Sequence, residues 1–271
     1  MESYIEGKNL RDVQNDIDLR NIPLERVGIK DLEWPIKVLD KERGHQQTVA
    51  KIEIAVDLKH YIRGIHMSRF IEIMNELEEL KPKSLEEMLR KIKEKLQAER
   101  SYLKMSFPYF IYKSAPISKI ESPNKIEAII DAELFKVFNM IIGVKVPIHT
   151  LCPCSKEISD YSAHNQRAIA EIYVKSKSMI WFEDLVEIAE KNASSPIFAL
   201  LKRPDEKYIT EHAYDNPKFV EDVVRDIAIE LEKNNSIEWY KIEVTSMESI
   251  HNHNAFACLE KGWLDHVIRN Q

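Results

Sequence analysis

One order of elements is written twice along this chain: strand, two helices, then more strands. In the first half, residues 48–58 alternate apolar and polar side chains as a half-buried strand does. Ser68 is placed to cap a helix that gathers Phe70, Ile71, Met74 and Leu77 on one face. Ser84-Leu85-Glu86-Glu87 matches a capping box and predicts a second helix running to about Glu99. Three β-rich stretches follow, at 102–112, 125–135 and 137–148. The second half repeats this loosely, with a strand over 167–174, helices over 181–191 and 217–233, and strands over 237–247 and 255–259. With only six glycines and no Ser/Gly linker between the halves, the pattern predicts an α+β fold of two similar modules, divided as 1–150 and 151–271. The first forty or so residues carry scattered charge with Pro23 and Pro35, and are expected to wrap over the core.

Composition narrows the function classes. No apolar run approaches the ~20 residues of a membrane span, and residues 1–8 hold no apolar export signal. Three cysteines, two of them one residue apart, make no disulfide framework. A cytoplasmic setting without membrane contact is expected. The net charge of −6 argues against nucleic-acid binding. It leaves room for a phosphorylated small molecule held by a few local Lys and Arg residues.

The densest chemistry lies in residues 151–167, Leu-Cys-Pro-Cys-Ser-Lys-Glu-Ile-Ser-Asp-Tyr-Ser-Ala-His-Asn-Gln-Arg. Cys152 and Cys154 flank a proline, and His164 follows twelve residues after Cys152. Thiolate and imidazole are ligands that Zn²⁺ and similar ions prefer. Two ligands fall short of a four-ligand structural site, whereas a catalytic metal needs an open position for water. Asp205 or Glu206, in the charged run 202–208, would add a carboxylate from a loop. The plainer alternative is a packed Cys-Pro-Cys turn with His164 a core histidine bonded to Asn165 or to a carbonyl. The concentration of Cys, His and polar residues favours a metal or nucleophilic site.

Two further clusters stand out. In Glu248-Ser249-Ile250-His251-Asn252-His253-Asn254, a strand would place His251 and His253 on one face. Paired imidazoles suit proton transfer near neutral pH; the alternative is a solvated loop. Residues 216–226 read as a helix entry with Pro217 in its first turn and Glu221 near the N-terminal end. A fixed carboxylate there can accept two parallel N–H bonds from guanine, or serve only the helix.

Together these segments resemble the type IB GTP cyclohydrolases, a prokaryotic family opening folate and often queuosine biosynthesis. The resemblance runs from Asp12-Val13-Gln14, through Gly64-Ile65-His66-Met67-Ser68-Arg69-Phe70 and residues 151–167, to 216–225 and 248–254. It implies the tunnelling fold, an N-terminal arm and first module in 1–150, and a second module in 151–271 carrying most of the metal and guanine site. It also implies antiparallel barrels closed in a homotetramer, with sites at subunit interfaces. One divalent metal per site (Zn, Mn or Fe) would be held by Cys152, His164 and Glu206, and guanine by Glu221. Cys154, His251, His253 and Glu248 would line the reaction centre. Candidates for the triphosphate are Arg69, near a helix N-terminus, with Lys156, Arg167, Lys202 and Arg203. Ser162 departs from the family pattern, standing where glycine is expected and so restricting the turn.

The implied activity opens the guanine ring of GTP at C8, releases formate and gives 7,8-dihydroneopterin triphosphate. Two other readings stay open: an iron-dependent archaeal-type relative ending at a cyclic phosphate, and a noncatalytic metal- or purine-binding protein. The Glu-x-Lys-x-x-Lys pattern of the nitrile reductases sharing this fold is absent.

Overall fold

The computed structural model describes residues 12–262. Its longest strand corrects the reading of the first forty residues. β1 (Leu24–Asp40) does not wrap over the core; it pairs antiparallel with β2 (Gly44–Leu58). Alternation is hidden by a bulge. Val27 and Ile29 turn inward, Lys30 and Asp31 together oppose Glu53, and Leu32, Trp34, Ile36 and Val38 then face inward one residue out of phase. Asp31 takes φ +58°, the left-handed conformation such a bulge uses. Pro35 is tolerated because β1 is a sheet edge, where a missing N–H breaks no ladder. The β1–β2 turn is held by buried Asp40, which accepts from the Glu42 and Arg43 amides at 2.9 and 2.7 Å.

Then come α1 (Ser68–Met74) and α2 (Pro82–Leu96). Ser68 is the first residue of α1 rather than its cap, and the buried face is Phe70, Ile73 and Met74. Ser84 likewise lies inside α2, where its Oγ accepts from the Lys81 amide at 3.0 Å. Gln97 ends the helix at φ +55°, before Glu99. β3 (Ser101–Ser114), β4 (Glu121–Leu134) and β5 (Phe138–Leu151) follow in the order expected. The second half holds α3 (Pro153–Ile158), β6 (Asn165–Ser176), α4 (Phe182–Lys191), β7 (Ser195–Pro196), α5 (Arg203–Asp215), α6 (Val220–Glu232), β8 (Ile237–Ser246) and β9 (Ala255–Gly262). α3, β7 and α5 were not foreseen. Pro217 lies before α6 rather than in its first turn.

Eight strands form one continuous antiparallel path, β1-β2-β3-β4-β5-β6-β8-β9, with β7 pairing β5. The expected division at residue 150 falls at the end of β5, and the sheet crosses it without a break. α2 packs on β2–β4, while α4 and α6 pack on β5, β6, β8 and β9. One apolar core under the helices runs through both halves. The opposite sheet face is a groove lined by charged residues, including Lys104, Asp131, Lys145, Glu171, Lys241 and Glu243.

The register sends the β3–β4, β5–β6 and β8–β9 connections out at one end of the sheet. α1 and α2 leave from Leu58 and return to Ser101 at the other end. Gly28 shows how tightly the first pairing is set. A Cβ there would stand 1.9 Å from the Ile54 carbonyl oxygen and 2.5 Å from Ala55 Cα, both backbone atoms unable to yield. Gly28→Ala is therefore expected to cost about 2 kcal/mol or more in urea unfolding. Gly64→Ala, whose Cβ would come no nearer than 3.6 Å to its nearest neighbour, the Gln14 side chain, should stay within about 0.5 kcal/mol of the parent.

Candidate active site

The pairing of β5 and β6 brings Cys152 and His164 together. Leu151 and Asn165 are their last paired residues. One step further out, the Cys152 amide donates to the His164 carbonyl at 3.1 Å. Pro153 then starts α3, leaving Cys152 as its N-cap, and Cys152 Sγ accepts from the Ser155 amide at 3.4 Å. The Ser155 hydroxyl accepts from the His164 amide at 3.2 Å and donates to the Cys152 carbonyl at 3.3 Å. Both candidate ligands thus hang from one small network. Cys154, in the first turn of α3, is exposed.

The His164 ring faces Gln166, with Nδ1 2.9 Å from Gln166 Oε1. Gln166 Nε2 donates to Thr150 Oγ1 and to Glu248 Oε1, each at 3.3 Å. The other Glu248 oxygen stands 3.9 Å from His164 Nδ1. Neither His164 nor Glu248 is more than slightly exposed. Glu248 is therefore brought beside His164. His251 and His253 lie in the β8–β9 loop rather than in a strand, yet their rings stack with centroids 5.0 Å apart.

Burial separates Asp205 from Glu206. Asp205 is buried and accepts from the Ile117 and Ser118 amides at 2.8 Å, the Ser118 hydroxyl at 2.7 Å and the Lys202 amide at 2.8 Å. Burial pushes its carboxyl up, but these donors outweigh burial and hold it well below the usual carboxylate range. Asp205 is structural. Glu206 stands exposed in the first turn of α5, so this candidate carboxylate sits on a helix rather than on the expected loop. α5 lies beside the site: Ile209, Thr210 and Tyr214 share a pocket with Leu151, Ser162 and Asn165.

Glu221 is exposed in the first turn of α6. That helix is tied in by the Lys218 amide, which donates to the Leu151 carbonyl at 3.1 Å. Lys156 reaches from α3 to the Tyr214 carbonyl at 2.5 Å and lies over the Tyr214 ring. Arg167 is exposed on β6, where its carbonyl accepts from the Met247 amide at 3.0 Å. Lys202 caps α5, and Arg203 is its first residue. Arg69 stands apart. It donates to the Lys95 carbonyl at 3.0 Å, near the opposite end of the sheet, close to a strand length away, roughly 40 Å.

The donor chemistry of Cys152 and His164 suits a divalent metal, one thiol at a helix N-terminus and one imidazole with its Nδ1 already bonded. Among the described residues no three His, Cys, Asp or Glu side chains stand close enough to hold an ion. Cys152 and His164 are neighbours across one backbone hydrogen bond, with Glu206 on the neighbouring helix.

Residues 10–257 match the family described as Type I GTP cyclohydrolase folE2. The chain belongs to this family. It is 66% identical over 255 residues to GTP cyclohydrolase FolE2 of Dictyoglomus thermophilum, covering 94% of this chain and 99% of that one. To GTP cyclohydrolase FolE2 of Thermotoga maritima it is 61% identical over 253 residues, covering 93% and 98%. In fold the chain is similar to uricase from Arthrobacter globiformis, with a TM-score of 0.51 at 8% identity over 89% of this chain and 96% of that one. A urate oxidase mutant of Bacillus sp. TB-90 gives a TM-score of 0.52 at 11% identity, covering 89% and 100%.

Within this family chain, two contributors escaped the sequence reading: Gln166 and the Asp205 clamp. Gln166 is two residues past His164 at the start of a strand, a spacing that puts both side chains on one face. Locally Asp205 shows only as an acidic residue three positions after Lys202, whose amide it accepts from; its other partners lie 87 and 88 residues away. Ser162 has a visible cost. It takes φ +96°, a conformation open to glycine and strained for serine. Ser162→Gly is expected to stabilise the chain by about 1 kcal/mol in urea unfolding, strain relief exceeding the added entropy of the unfolded chain. Asp205→Ala should speed hydrogen exchange at the Ile117, Ser118 and Lys202 amides and lower the thermal midpoint by several degrees. Unchanged exchange would show that the carboxylate holds nothing.

Proposed function

We propose that this chain is a metal-dependent GTP cyclohydrolase I that opens the guanine ring at C8, releases formate and forms 7,8-dihydroneopterin triphosphate for folate biosynthesis. Its chief support is 66% identity over 94% of the chain to a relative named for that activity. The Cys152–His164 half-site beside Glu248 supplies chemistry that suits it.

In this reading Cys152, His164 and Glu206 hold one divalent ion, Zn²⁺, Mn²⁺ or Fe²⁺. Such an ion, when bound, supplies Lewis acidity that makes hydroxide available near neutral pH. Glu221 accepts the N1–H and the 2-amino N–H of guanine, fixing the base so that attack at C8 becomes effectively intramolecular. His251, His253 and Cys154 are the candidates to protonate N7 as the first C8–N bond breaks. A second hydrolysis frees formate. The ribose then rearranges and recloses on the exposed amine with loss of one water, so that one water is consumed overall. Lys156, Arg167, Lys202 and Arg203 are candidates for the triphosphate. Arg69 joins them only if it comes from another copy, since it stands at the far end of its own sheet.

The same reading takes the chain to be a homotetramer in the cytosol. Among the described residues β1 and β9 each have one pairing partner along the main path of the sheet, leaving two edges through which copies can close a barrel. Cys152, Cys154 and Cys258 are free thiols, as suits a reducing compartment.

The decisive experiment strips the protein of metal, restores Zn²⁺, Mn²⁺ or Fe²⁺ separately, and follows GTP, formate and the pterin by mass. Metal-dependent formate with a pterin retaining its triphosphate is expected; a cyclic phosphate would point to the archaeal-type reaction. No formate with any metal would sink the catalytic claim. Cys152→Ala should lower turnover about 10³-fold, the loss of several kcal/mol of metal-derived stabilisation. Glu221→Ala should lower kcat/KM for GTP about 10²-fold or more, by removing a paired, charge-assisted contact.

A further inference from the structure

We propose that Gln166 is a positioning residue that fixes the ring and tautomer of His164, with Glu248 setting the direction of the Gln166 amide. This rests on the reading of His164 as a metal ligand. A glutamine amide can face either way, and its two ends differ in what they can do. Here Nε2 points at Glu248 Oε1 and Thr150 Oγ1 at 3.3 Å. The reversed amide would set its oxygen against the Glu248 carboxylate, two acceptors with no proton between them. Glu248 thereby selects the orientation in which Gln166 Oε1 faces His164.

An amide oxygen only accepts. The 2.9 Å contact between Gln166 Oε1 and His164 Nδ1 therefore requires the proton on Nδ1 and leaves the lone pair on Nε2, the form a metal takes up. The assembly is anchored from behind. Thr150 and Ser246 are buried, with hydroxyls 3.4 Å apart. The Ser249 hydroxyl adds a second donor to Gln166 Oε1 at 3.4 Å. The relay joins β5, β6 and the loop after β8, so the ring is aimed by three segments distant in sequence.

The test begins with the metal-free full chain carrying ¹⁵N-histidine, at a pH where the imidazole is neutral, with His164→Gln assigning the signal. His164 is expected as the Nδ1–H tautomer. A wild-type spectrum showing Nε2–H, the form an unconstrained imidazole prefers, overturns the proposal without any further variant. Gln166→Leu should convert the signal to Nε2–H and weaken Zn²⁺ binding about 10- to 100-fold against a chelating dye. If tautomer and affinity both stay unchanged in that variant, Gln166 positions nothing. The paired exchange Gln166→Glu with Glu248→Gln restores an acceptor facing Nδ1 and a donor behind it, so affinity should return to within a few-fold of the parent. Gln166→Glu alone sets two carboxylates together and should not recover it. An Nδ1–H signal lost in Gln166→Leu, with no Zn²⁺ bound by either protein, upholds the positioning role and overturns His164 as a ligand.

Discussion

The last rung of the β5–β6 ladder is what the site depends on. Because Leu151 pairs with Asn165, the next residues outward are Cys152 and His164, joined by one backbone hydrogen bond of 3.1 Å. A register slip of one residue would turn every side chain on β6 to the other sheet face and separate the two groups. That register is held by the whole sheet. Ile148, Val146 and Val144 on β5, and Ala168, Ala170 and Ile172 on β6, are fully buried under the helices. Burial of these side chains, each worth about 1.5–3 kcal/mol for the larger ones, fixes a geometry that the polar site could not maintain alone.

Much of this was legible in the chain itself. β3, β4, β5, β6 and β8 follow their alternating residues, and α4 and α6 their apolar faces. β1 was not legible, because the two-residue step at Lys30 and Asp31 breaks its alternation in the middle. α3 is a single short turn-and-a-half, below the length at which periodicity can be read. α5 buries one apolar residue, Ala213, beside the carboxylate of Asp205, so its sequence reads as a charged loop.

The site was legible in its chemistry and illegible in its supports. Cys152, His164 and Glu221 stand out because their residue types are unusual at such spacings. Asp205 and Glu206 are adjacent carboxylates that locally differ only in the capping bond Asp205 accepts from the Lys202 amide. The fold completes the separation, burying one against the β3–β4 turn and leaving the other exposed. Gln166 is an ordinary glutamine until Glu248, 82 residues on, orients its amide.

The bulge and proline of β1 also bear on what its outer edge can accept. A 17-residue strand with one side unpaired among the described residues would otherwise template the addition of any extended chain along its length. Asp31 twists the row of donors out of line, and Pro35 removes one altogether. Any strand docking there must match a broken pattern of donors and acceptors, which favours one specific neighbour over indiscriminate, open-ended stacking.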